Sequence, residues 1–165
     1  MISVYGRALR EVFTAELASK APEYRPSKGD PEPMFPGQRS FVHKVDEAFW
    51  AWLTVIPSPK DDSFTLEMGW SRLARYPQGM GRVSLRSPFE AAKEPEYLCR
   101  IGKLLGVEDV WWDVDKFLRT EEGKEILMEI PGALQSNPQT RVLVSARAAL
   151  SLFLRAGVPA LNAAA

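Results

Sequence analysis

Apolar residues recur every three or four positions at the start of the chain. Tyr5, Leu9, Val12, Phe13 and Leu17 fall on one side of a helix over residues 3–19. Ser3 can cap its start, and it must stop before Pro22, which lacks an amide donor and crowds the preceding turn. Residues 20–40 lose that period and hold five of the thirteen prolines. They predict a connector from helix to sheet. The period then shortens to two. In FVHKV (41–45), Phe41, His43 and Val45 share one face. In FWAWLTVI (49–56), Phe49, Ala51, Leu53 and Val55 face one way, and Trp50, Trp52, Thr54 and Ile56 the other. In 63–71, Phe64, Leu66, Met68 and Trp70 oppose Thr65, Glu67 and Gly69, so this strand is expected to have one wet face. The strand apolar on both faces, 49–56, should be central.

Beyond residue 78 the pattern is mixed. GMGRVSLRS (79–87) predicts a fourth strand through Val83 and Leu85. Ser87-Pro88-Phe89-Glu90 reads as a capping box with proline at the first helical position. Tyr97, Leu98, Ile101, Leu104 and Leu105 make one helical face over 95–105, closed by Gly106. Residues 109–118 and 120–130 read as two short helices, acidic in their first turns. Asn137-Pro138 opens a long helix lined by Val142, Leu143, Ala146, Ala149, Leu150, Phe153 and Leu154, ended by Gly157 and Pro159.

This order predicts an α+β fold. Three to four antiparallel strands pack against the N-terminal and C-terminal helices in a single domain, 1–165, with a Pro-rich loop at 20–40 and a helical part at 90–157. The chain of 165 residues, 45% apolar, suits one core. No uninterrupted apolar run approaches the ~20 residues that cross a bilayer. With a single cysteine and a charged N-terminus, the expectation is a cytoplasmic protein without disulfides.

Net charge is zero, but unevenly composed. Residues 90–132 hold 11 acids against 6 bases, whereas 71–89 hold Arg72, Arg75, Arg82 and Arg86 and no acid. The asymmetry serves either a charged partner or internal pairing, and internal pairing is the expected use.

Candidate chemistry is sparse. His43, the only histidine, sits mid-strand and favours a structural role. Cys99, expected to be accessible on its helix, lacks a placed base. Asp46-Glu47 and Asp61-Asp62 sit in turns. Gly79-Met80-Gly81-Arg82 could form an anion nest but lacks a phosphate-loop continuation. These readings name no catalytic residue, metal or cofactor. Two aromatic groupings remain. Trp111 and Trp112 beside Asp113, Asp115, Glu121 and Glu122 make a candidate partner-binding surface. Trp70 with Arg72, Arg75, Arg82 and Arg86, under Trp50 and Trp52, makes an alternative surface for nucleic acid or a small ligand.

The segments SVYGRALREVFTAEL, FVHKV and FWAWLTVIPSPKDDSFTLEMGWS carry a resemblance in outline over the first ~70 residues. With Lys44, Trp50 and Trp52, Ser63-Phe64-Thr65 and Gly69-Trp70, they resemble small bacterial α+β domains of the kind found among immunity proteins of polymorphic toxin and type VI secretion systems. That resemblance implies a non-enzymatic protein-binding domain whose partner is a cognate toxin or effector.

Overall fold

The strand-period segments form one antiparallel sheet, seen in a computed structural model that describes residues 2–29, 31–78, 83–107, 109–134 and 136–165. Helix α1 (Val4–Lys20) leads in, with the Ser3 hydroxyl accepting the Gly6 amide at 3.0 Å. Strands β1 (Arg25–Pro26), β2 (Arg39–Lys44), β3 (Trp50–Pro57), β4 (Ser63–Ser71) and β5 (Glu96–Arg100) pair in sequence order, and β6 (Trp112–Asp113) pairs with the start of β4. The class is α+β, as expected, with six strands among the described residues rather than three or four. The Pro-rich stretch is more than a connector, because it supplies β1, and Tyr24 beside it is buried.

The fifth strand corrects a helix. The helical stripe over 95–105 includes residues 96–100, but Tyr97 and Cys99 alternate inward and pair with β4 through Trp70 and Met68. Only Ile101–Leu105 coils, as a 3₁₀ turn ending at Gly106 with φ +73°. The strand expected at 79–87 is absent at 83–87, while 79–82 lie outside the described residues. At the expected capping box, Ser87 accepts the Glu90 amide at 3.3 Å, and the chain makes turns rather than a helix. The first of the two short helices is likewise shortened to α2 (Val114–Leu118), with Trp112 and Asp113 extended ahead of it. Helix α3 (Glu121–Met128) forms as expected, capped by Thr120.

The core lies on the sheet face that carries Phe41, Leu53, Val55, Phe64, Leu66, Met68 and Trp70. Against it pack α1 and the C-terminal helices, with Phe13 edge-on to Phe64 and Tyr24 edge-on to Phe153. Helix α4 (Pro138–Leu152) does not end at Gly157. A π-turn, Phe153–Gly157, carries it into α5 (Val158–Ala164), and the Val158 amide reaches back five residues to the Phe153 carbonyl. The widened turn accommodates Pro159, whose ring a regular helix would drive against the Arg155 carbonyl. The run Pro138–Ala164 is long and apolar enough to cross a membrane by length and composition, and 56% of its most apolar window is buried within the fold.

The second face of the sheet is not wet. Thr65, Glu67, Gly69 and Ser71 are all buried, against expectation. Segments 31–38, 75–78 and 109–111 cover this face.

Candidate functional site

Parity on the second face puts Ile56 of β3, Glu67 of β4, and Leu98 and Arg100 of β5 under a common cleft. Met34, Phe35 and Gln38 from one segment and Tyr76, Pro77, Val83 and Arg86 from later in the chain complete its lining. Its volume of about 710 Å³ falls in the range of small-ligand sites. The bordering segments are tied down. Gln38 Oε1 accepts the Met34 amide at 3.1 Å, Trp52 Nε1 donates to the Arg75 carbonyl at 3.1 Å, and Glu96 Oε2 accepts the Gln78 amide at 3.0 Å.

Glu67 and Arg100 form a charged pair at the floor, and Glu67 is the more buried of the two. Its Oε1 lies 3.0 Å from Arg100 Nε, and its side chain is 11% exposed. Burial raises its pKa, the Arg100 charge pulls it down, and Asp109 pushes it up again. Arg100 lies over the Trp111 ring, 5.7 Å from its centroid, and its Nη1 is buried without a hydrogen-bond partner. The 109–111 segment is held there by Thr65 Oγ1 donating to the Val110 carbonyl at 2.6 Å and by Trp111 Nε1 donating to Asp109 at 2.8 Å. The cleft therefore combines apolar wall residues with the paired Glu67 carboxylate at its floor, while Glu32, Glu94, Glu96 and Arg86 also line it. Among the described residues, no three His, Cys, Asp or Glu side chains gather as metal ligands.

The expected partner-binding surface is divided. Trp111 is 42% exposed, whereas Trp112 is 8% exposed and stacks on Phe64 at 5.6 Å. Adjacent residues of extended chain point oppositely, so only Trp111 is available as an anchor. Asp113 caps α2 by accepting the Lys116 amide, Asp115 pairs with Arg141, and Glu121 and Glu122 open α3, exposed.

The alternative surface is largely internal. Trp70 is fully buried, its Nε1 donating to the Glu94 carbonyl at 3.0 Å. Trp52 is buried and Trp50 half-buried under Lys44. Arg72 donates to the Ala92 and Ala164 carbonyls, Arg75 pairs with Glu96 at 2.5 Å, and Arg86 pairs with Glu94 at 2.9 Å. Arg82 lies outside the described residues. Trp70 and Trp52 therefore present no stacking face, and the acids of 90–96 neutralise Arg75 and Arg86 locally.

His43 and Cys99 share the core face but sit on β2 and β5, three strand spacings or ~14 Å apart. Cys99 is buried, not accessible, and burial pushes its thiol up to about 11. Asp46 accepts the Ala48 and Phe49 amides, which hold its carboxyl below the usual range.

Sequence reasoning misses the Glu67–Arg100 pair. Its one signal is a lone charge inside an otherwise apolar or small-residue strand, which reads as solvent-facing. Comparison with protein-family models, with curated proteins and with solved structures finds no match, so the functional reading rests on this geometry.

Proposed function

We propose that this chain is a non-enzymatic binding domain that takes a small ligand in the cleft over Glu67. The observation that carries this reading is the carboxylate held at the floor of a cavity of about 710 Å³. Apolar walls from Phe35, Ile56, Tyr76 and Leu98 suit a ligand with an apolar body, and Glu67 suits a hydrogen-bond donor on it. This is the small-ligand form of the alternative reading, moved from the Arg72–Arg86 stretch to the adjoining cleft. A library of small aromatic amines, screened by ligand-observed NMR, should yield binders that Leu98→Trp abolishes by filling the cavity. Binders unaffected by Leu98→Trp, or none from such a library, would sink the reading.

A second reading keeps the resemblance to immunity proteins, with a cognate bacterial toxin as partner. The exposed Trp111 indole against Arg100 favours it, since a half-exposed tryptophan with a fixed orientation is a typical anchor of protein interfaces. Asp113, Asp115, Glu121 and Glu122 would form its acidic surround. Affinity purification from the native host should recover a protein partner that Trp111→Ala releases. Retention by Trp111→Ala would remove this surface.

A further inference from the structure

Arg10 on α1 and Arg39 at the start of β2 are both half-buried, and both line a second pocket of about 390 Å³. Among the described residues, neither guanidinium has an acidic partner. This sets them apart from Arg75, Arg86, Arg100, Arg141 and Arg147, each beside a carboxylate. The Arg39 charge is disfavoured by burial and then by repulsion from Arg10. Polar groups complete the wall, with Ser27, Gln38 and Ser40 among the lining residues.

The pocket is also built rigidly. Gly37 has φ +92°, and a Cβ there would lie 3.0 Å from the Gly6 Cα, so the 35–38 turn packs directly on α1. The Gln38 amide closes that turn onto the Phe35 carbonyl at 3.0 Å. Two like charges brought together in a concavity oppose folding unless something of opposite sign repays them.

We propose that this pocket binds a multiply charged oxyanion, phosphate or polycarboxylate, between Arg10 and Arg39. The planar guanidinium fork matches either group, and two forks match a charge of about two. The site lies apart from Glu67, and the proposal does not rest on the reading of that cleft. Pro31, Met34, Phe35 and Gln38 line both, so the two pockets flank one segment.

The test uses inorganic phosphate and citrate, titrated by calorimetry and thermal shift at an ionic strength held constant with sodium chloride. One of them should bind saturably and raise the melting temperature, and which one does so identifies the oxyanion. Arg10→Gln and Arg39→Gln should each weaken binding about tenfold, while Arg7→Gln, an exposed position on the same helix, should not. Without anion, Arg39→Gln should melt no lower than the parent, because it relieves repulsion. No binding of either anion beyond matched chloride, equal weakening by Arg7→Gln, or a lower melting temperature for anion-free Arg39→Gln would overturn the proposal.

Discussion

Glu67 and Arg100 sit opposite each other on β4 and β5 and pair at 3.0 Å across the floor of the cleft. Removing one partner leaves a buried charge alone. Arg100→Leu should therefore cost about 3–5 kcal/mol in urea unfolding. A loss below about 1 kcal/mol would mean that Glu67 is solvated or already neutral.

The same pair predicts a pH signature. Burial raises the folded pKa of Glu67, so over that interval the folded state holds the proton more tightly than the unfolded one. Its contribution to stability is full below the ordinary glutamate value and is lost as pH climbs through the raised one. Glu67→Gln lacks this loss. The melting temperature of the variant minus that of the parent should rise from about pH 4 to about pH 7, and a flat difference would contradict the assignment.

Gly69 faces the same side in the middle of β4. A Cβ there would stand 2.0 Å from the Tyr97 carbonyl oxygen, a backbone atom that cannot swing aside. Gly69→Ala should destabilise by about 3 kcal/mol, by parting β4 from β5. Near-neutral behaviour would show that the strands separate easily.

The paired tryptophans should behave oppositely. Trp112→Ala empties a core position against Phe64 and should cost about 3–5 kcal/mol. Trp111→Ala should stay within about 1 kcal/mol, since its indole is half-exposed. Equal costs would mean that the two side chains are not divided between core and surface.

Cys99 should resist thiol reagents. Its sulfur is buried and its thiol is pushed up to about 11, so little thiolate exists at neutral pH. Ellman's reagent should label it at least ~100-fold more slowly in the native protein than in denaturant. Fast native labelling would require local opening of β5.

The regular elements are legible where a period runs long enough to be unambiguous. Helix α1, strands β2 to β4 and helix α4 all carry their patterns over at least five residues, and Ser3, Thr120 and Asn137 cap as their residue types suggest. Strand β5 is not legible. Tyr97, Leu98 and Ile101 satisfy a helical stripe as well as Tyr97 and Cys99 satisfy alternation, and only the free edge of β4 decides between them. Trp111-Trp112 is ambiguous for a similar reason, because a helix parts neighbours by 100° and a strand by 180°. The cleft is illegible because its walls come from distant segments of the chain, and a lone glutamate in a strand looks solvent-facing until something is known to cover it.

The π-turn at Phe153–Gly157 also sets the phase of α5. One extra residue per turn rotates every later side chain by about 100°. That rotation is what lets Ala160, Leu161 and Ala164 meet the core. Deleting a single residue from this turn would yield a tidier spiral yet swing those three outward, and exchange a well-seated end for an oily stripe facing water.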